Sequence, residues 1–103
     1  MFDFDIEQYH DEKTYMYCET KEYAEEFMKY LASHGRKWRN GYNYLSHGQK
    51  PCDEMVLFFN RGTYSLAKYV FDNSDYSYYA SLKYTDFLKD DPLELQISIE
   101  SLF

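Results

Sequence analysis

Six side chains in this chain are considered as candidate ligands of a metal ion. Zinc-binding proteins bring such ligands together through short, fixed spacings such as Cys-x2-Cys or His-x3-His. Neither spacing occurs here, and His47 and Cys52, which fall in one predicted loop, supply only two ligands. We therefore expect no bound metal and no cofactor. The six candidate ligands are His10, Cys18, His34, His47, Cys52 and Asp53.

Nucleophilic or phosphate-transfer chemistry has no signature in this sequence either. There is no Gly-x-Ser-x-Gly elbow, no Walker loop and no Gly-x-Gly-x-x-Gly turn. Cys18 falls in an apolar strand-like stretch, and the carboxylates of Asp53 and Glu54 disfavour a thiolate at Cys52. Without an export signal, both cysteines are expected to be free thiols. We predict that the protein is not an enzyme.

Charge excludes several other classes of function. The chain has 18 acidic and 11 basic residues, a net charge of −7. This excess disfavours direct binding to nucleic-acid phosphates or to anionic lipid, since both need a basic surface. No apolar run approaches the roughly 20 residues of a membrane helix. We expect a cytoplasmic protein that does not contact a membrane.

The charges are segregated along the chain. Residues 1–12 contain five acids and no Lys or Arg, and residues 72–103 contain seven acids and two lysines. If the two terminal strands are neighbours, alternation with apolar residues places Asp3, Asp5, Glu7, Glu94 and Glu100 on one solvent-exposed face, with Asp90 and Asp91 at its edge. We predict an acidic partner-binding face that fits a basic groove on another protein; the simpler explanation is solubility and protection of sheet edges. Its residues are Asp3, Asp5, Glu7, Asp90, Asp91, Glu94 and Glu100.

A basic and aromatic segment is the alternative binding site. Cations beside aromatic planes are typical of single-stranded nucleic-acid grooves. The cations also follow a predicted helix C-terminus, where the helix dipole favours them, and the tryptophan could simply pack on the core. The residues of this segment are Arg36, Trp38, Arg39, Tyr42 and Tyr44.

One helix dominates the predicted elements. Ala24, Phe27, Met28 and Leu31 form an apolar stripe at helical spacing, which predicts a helix over 21–34. Thr20 is expected to cap its start, and Gly35 to follow its end in a left-handed conformation. Among the core residues we expect Phe27, Met28, Leu31, Val56 and Phe58.

Strand-like patterns account for most of the remaining chain. We predict strands at 2–6, 14–18, 54–60, 64–71, 76–87 and 93–99. Two alternatives stay open: Asn40-Gly41 is either a hairpin or a bend, and the last segment could be a helix that begins at Pro92. The predicted fold is a single α+β domain over residues 1–103, with a mainly antiparallel sheet and one amphipathic helix packed on a face.

The segment around this helix resembles a pattern in small phage and prophage proteins. There, an amphipathic helix that ends in Gly is followed shortly by Trp and a second Gly. The matching stretches are Tyr23-Ala24-Glu25-Glu26-Phe27 through Leu31, His34-Gly35, Lys37-Trp38-Arg39-Asn40-Gly41, and the closing Tyr84-Thr85-Asp86-Phe87-Leu88. The resemblance covers less than half of the chain. It implies a mobile-element protein that acts in a bacterial host cytoplasm, and it carries over no catalytic residue.

Together, these features predict a non-catalytic inhibitor of a host protein. Small acidic phage proteins of the anti-restriction and anti-CRISPR type bind a host protein that handles nucleic acid or provides defence. We expect this chain to do the same, through its acidic face. The alternative function is a small ligand- or single-stranded nucleic-acid-binding module that uses the segment around Trp38.

Overall fold

The structure, a computed structural model, describes residues 1–89 and contains one four-stranded sheet. Its strands are β1 (Thr14–Cys18), β2 (Met55–Phe58), β3 (Thr63–Leu66) and β4 (Ala80–Lys83), in the order β3-β2-β1-β4. β2 is antiparallel to both β1 and β3, whereas β4 is parallel to β1. The predicted α+β class with a mainly antiparallel sheet is therefore confirmed, with one parallel pair at an edge.

The main helix, α1, spans Lys21–Ser33, close to the predicted range. The Thr20 hydroxyl accepts a hydrogen bond of 3.2 Å from the backbone N–H of Tyr23, and so caps the first turn. The predicted apolar stripe of α1 is fully buried. It packs against one face of the sheet, where Met16 and Cys18 of β1 and Leu57 of β2 contribute to the same core.

A second, shorter helix covers the opposite face of the sheet. This helix, α2 (Ala67–Phe71), replaces the second half of the strand predicted at 64–71, so that part of the prediction is wrong. Ala67 and Val70 are three residues apart, and a helical turn lets both pack on Val56 and Phe58. The burial expected for Phe27, Met28, Leu31, Val56 and Phe58 is confirmed.

The N-terminal segment is not a strand of the sheet, contrary to the prediction for 2–6. Phe4 and Ile6 are buried and the acids between them are exposed, as the alternation indicates. The Tyr30 hydroxyl, however, accepts a hydrogen bond from the Ile6 N–H and donates one to the Phe4 carbonyl. These bonds hold the segment on α1, while Phe2 forms an isolated antiparallel bridge with Leu88. A short 3-10 helix follows at Ile6–Gln8.

Two further segments differ in detail from the predictions. Only Ala80–Lys83 of the predicted strand 76–87 is extended along β1, with 3-10 helices at Ser74–Tyr76 and Tyr84–Phe87 on either side. Asn40-Gly41 forms a tight bend closed by a single bridge between Lys37 and Asn43. The predicted strand 93–99 lies outside the described residues. No helix within residues 1–89 is long and apolar enough to cross a membrane.

Candidate functional site

The predicted acidic face is described only in its N-terminal part. The side chains of Asp3, Asp5 and Glu7 are exposed. The proximity of the two terminal segments stays a prediction, because four residues of the predicted face lie outside the described residues: Asp90, Asp91, Glu94 and Glu100.

An aromatic cluster holds the N-terminal acids beside acids from other elements. Phe2 stacks on Tyr84 with ring centroids 4.5 Å apart, and the backbone N–H of Asp3 donates to the Phe87 carbonyl. Burial raises the pKa of Tyr84 to about 12, and the nearby Glu26 carboxylate adds to this shift. Exposed acids are thus carried by three elements whose rings pack in the same aromatic cluster: the N-terminal segment, α1 and the 84–87 turn. We call this set the N-terminal acidic surface: Asp3, Asp5, Glu7, Glu26 and Asp86.

Cations border this surface without neutralising it. The Lys29 ammonium lies 3.7 Å from both Glu25 and Glu26, and all three side chains are about half exposed or more. Such exposed pairs are weak because water screens them. The N-terminal ammonium donates to the Lys89 carbonyl at the edge of the surface. The carboxylates of Asp3, Asp5 and Glu7 form no ion pair within residues 1–89.

Trp38 is not the exposed stacking platform that the alternative site requires. Its side chain is only 7% exposed, and its indole N–H donates a 2.7 Å hydrogen bond to the His47 carbonyl. The loop after Tyr44 packs this closely on the Trp38 indole because residue 48 is glycine. A Cβ at Gly48 would lie 2.6 Å from the indole nitrogen. The aromatic residue predicted as a contact is therefore part of the core.

Tyr44, the second ring of the predicted segment, is also buried. It is 3% exposed and packs 4.4 Å from Trp38, measured between ring centroids. Burial raises the pKa of its hydroxyl to about 12, although the Arg36 charge opposes the shift. Within residues 1–89 this hydroxyl has no hydrogen-bond partner. Tyr44 thus stays neutral at physiological pH and packs as an apolar ring.

The other three residues of the segment lie in different surroundings. Tyr42 is exposed and stacks on His47 with ring centroids 4.8 Å apart. Arg36 is half-buried and donates a 2.9 Å hydrogen bond to the Asn60 side-chain carbonyl. Arg39 is exposed at the surface. Whether this segment contacts a partner stays a prediction, but stacking on the faces of Trp38 and Tyr44 is excluded by their burial.

The fold brings Arg39 beside cations that the sequence analysis did not connect with it. The backbone N–H of Arg39 donates a 2.8 Å hydrogen bond to the Gly62 carbonyl, which joins the 37–43 bend to the turn between β2 and β3. A polar cleft of about 420 Å³ opens there. Its lining residues are Glu12, Lys13, Arg39, Asn60, Arg61 and Tyr79.

A second, largely apolar cleft of about 510 Å³ shares Arg39 with the first. Arg39 lines both clefts, and Tyr64, which is 43% exposed, contributes an aromatic wall to the second. We call the two together the Arg39 cleft. Trp38 and Arg39 were predicted as site residues here, whereas Lys13 and Arg61 were not, because they lie far from this segment in sequence. The full lining of the apolar part is Trp38, Arg39, Asn40, Gly48, Gln49, Gly62, Thr63 and Tyr64.

The cysteines show no sign of activation. Both are free thiols. Burial raises the pKa of the Cys18 thiol, and burial together with the Asp53 carboxylate raises that of Cys52. A raised pKa leaves little thiolate at neutral pH. Within residues 1–89, no group of three or more His, Cys, Asp or Glu side chains is placed to hold a metal ion.

No protein-family model, curated protein or solved structure matches this chain. Its function therefore has to be inferred from its own side chains and their arrangement.

Proposed function

We propose that this chain is a non-catalytic, phage-type inhibitor that binds a host protein involved in nucleic-acid handling or defence. In this proposal the N-terminal acidic surface occupies a basic groove on that protein, as an anti-restriction or anti-CRISPR protein would. The observation that carries the proposal is the set of exposed carboxylates held on a fixed scaffold.

The scaffold matters because a fixed charge pattern costs less entropy to bind than a mobile one. The Tyr30 hydroxyl holds the N-terminal segment on α1 through two hydrogen bonds, of 3.1 Å to the Ile6 N–H and 2.8 Å to the Phe4 carbonyl. Phe2 and Phe4 both pack on Phe27 of the helix. The backbone positions that carry Asp3, Asp5 and Glu7 are therefore held on the helix.

Electrostatics gives the proposal its measurable signature. Complementary charges accelerate association, and added salt screens exposed charges beyond about 10 Å at 0.1 M. Binding through the acidic surface should therefore weaken steeply with ionic strength. If the acids only keep the protein soluble, partner binding should not depend on them.

The experiment compares two charge-reversed variants of the full chain. The test variant is Asp3→Lys with Glu7→Lys, since neither side chain forms a hydrogen bond or ion pair within residues 1–89. The control is Asp72→Lys with Asp75→Lys, which makes the same charge change at exposed positions after α2. Each is used for affinity capture from nuclease-treated bacterial lysate, followed by mass spectrometry.

We expect the wild type and the control to capture the same nucleic-acid-binding protein, and the test variant to lose it. The purified partner should then release a labelled oligonucleotide when the wild-type chain is added in stoichiometric amounts. Equal capture by both variants, or a captured protein whose nucleic-acid binding is unaffected, would contradict the proposal.

A further inference from the structure

Three cationic side chains from separate parts of the chain meet at the Arg39 cleft. Lys13 immediately precedes β1, Arg39 lies in the 37–43 bend and Arg61 lies in the turn between β2 and β3. None of the three forms an ion pair with a carboxylate within residues 1–89. Glu12 also lines the cleft and is its one carboxylate among the described residues. In a chain with a net charge of −7, such a concentration of unpaired cations favours an anionic ligand.

The Asn60 side-chain amide lines the polar part, and both its oxygen and its nitrogen are hydrogen-bonded. The Asn60 side-chain carbonyl accepts from Arg36, and its NH₂ group donates to the carbonyls of Tyr9 and Asp11, at 2.9 and 3.0 Å. These bonds join the loop before β1 to the turn after β2. The cleft is therefore formed before any ligand arrives, which reduces the entropy lost on binding.

Arg61 is held in place but keeps most of its donors free. Its guanidinium lies 5.5 Å from the centre of the Phe58 ring and donates one hydrogen bond, of 3.2 Å, to the Tyr79 hydroxyl. A guanidinium has five N–H donors in a planar fork that fits phosphate oxygens. The other donors of Arg61 have no protein acceptor within residues 1–89.

The adjoining apolar cleft supplies surfaces for a flat ring. Tyr64 is exposed there, and its ring centroid lies 5.9 Å from that of Trp38, with the two ring planes at 70°. Gly48 and Gly62 line the same cleft. Cavities of a few hundred Å³ with apolar walls and a few convergent polar groups are typical small-molecule sites.

We propose that the Arg39 cleft binds a mononucleotide. Its phosphate lies in the polar part among Lys13, Arg39 and Arg61, and its base lies in the apolar part against Tyr64. Arg39, which lines both parts, faces the junction of phosphate and sugar. A mononucleotide fits better than a nucleic-acid strand, because a longer polyanion meets the acidic surroundings of a chain of charge −7. This binding is independent of the N-terminal acidic surface.

Isothermal titration calorimetry with the full chain tests this site. The probes are AMP, UMP, adenosine, inorganic phosphate and a ten-residue thymidine oligonucleotide. We expect at least one mononucleotide to bind about tenfold or more tighter than phosphate or adenosine, because only a nucleotide uses both parts of the cleft. Equal affinity for phosphate alone, tighter binding of the oligonucleotide, or no binding of either mononucleotide would overturn the proposal.

Matched variants locate the site. Arg39→Ala removes a cation that lines the cleft, and Lys37→Ala removes an exposed cation two residues away that lines neither part. We expect Arg39→Ala to weaken binding about tenfold or more, and Lys37→Ala less than about threefold. Lys13→Ala is the second test variant, and circular dichroism checks that each variant is folded. Equal losses for Arg39→Ala and Lys37→Ala would show that only general charge is sensed, which would also overturn the proposal.

Discussion

Trp38 and Tyr44 are buried although exposed residues surround them in sequence. The loop after Tyr44 passes over the indole and is fixed to it through the His47 carbonyl. Gly48, with a φ of +89°, permits this approach, since a side chain there would meet the indole. The exposed groups of the segment are therefore Arg39 and Tyr42 rather than these two rings.

The hydroxyl of Tyr44 is buried and has no hydrogen-bond partner within residues 1–89. A buried polar group without a partner costs about 1–3 kcal/mol of desolvation. We therefore expect Tyr44→Phe to raise the free energy of unfolding by about 1 kcal/mol, since the ring and its packing are kept. Urea denaturation measures the change, with Tyr42→Phe as the exposed control that should have no effect. A loss of stability in Tyr44→Phe would show that the hydroxyl is hydrogen-bonded in solution.

The 37–43 bend and the turn between β2 and β3 act as one unit. Arg39 donates to the Gly62 carbonyl, and the backbone of residues 37–39 lies directly against Gly62. This contact brings Arg39 next to Arg61 and so forms the polar cleft. Gly62 and Gly41 both adopt a positive φ, of +70° and +88°, but only Gly62 is crowded by neighbouring backbone.

This difference predicts unequal effects of two alanine substitutions. Gly41→Ala adds only the strain of a left-handed residue, about 1–2 kcal/mol, because nothing lies within 4 Å of its new Cβ. Gly62→Ala places a Cβ 2.5 Å from the Arg39 nitrogen, so the backbone must also move. We expect Gly62→Ala to cost about 1–3 kcal/mol more than Gly41→Ala in urea denaturation. Equal losses would mean that the two turns are not packed together in solution.

At the scale of the whole molecule, aromatic packing links most of the elements. The chain has 13 Tyr, 8 Phe and 1 Trp, and rings from the N-terminal segment, α1 and the 84–87 turn pack together on one face of the sheet. Tyr76 and Tyr79 pack on the cluster of the other face. Because some of these tyrosines are buried, we expect the stability of the fold to fall at alkaline pH.

We expect stability to fall between about pH 10 and pH 12. Unfolded tyrosine ionises near pH 10, whereas burial raises the pKa of folded Tyr44 and Tyr84 to about 12. Above pH 10 the unfolded chain therefore binds fewer protons than the folded one, and rising pH favours unfolding. Urea midpoints measured from pH 8 to pH 12 test this, and Tyr44→Phe should reduce the slope. A constant midpoint across this range would contradict the burial of these hydroxyl groups.

The sequence by itself determined the elements whose signals are local. The α1 stripe, the Thr20 cap and Gly35 lie within one short stretch, and β1 and the core of β2 follow from short runs of strand-forming residues. The acidic N-terminus was also correctly expected to be exposed, because alternation depends only on neighbouring residues.

Only the tertiary structure decided how these elements combine. Ala67–Phe71 forms a helix that packs on Val56 and Phe58 and covers the second face of the sheet. Such packing overrides the strand propensity of this segment. Phe4 and Ile6 are hydrogen-bonded to the Tyr30 hydroxyl, and Phe2 forms only an isolated bridge with Leu88 instead of a strand of the sheet. The Arg39 cleft depends on strand register and on one glycine contact, which join residues 13, 39 and 61. No local sequence pattern predicts that these three residues lie together, because their proximity depends on contacts between residues far apart in the chain.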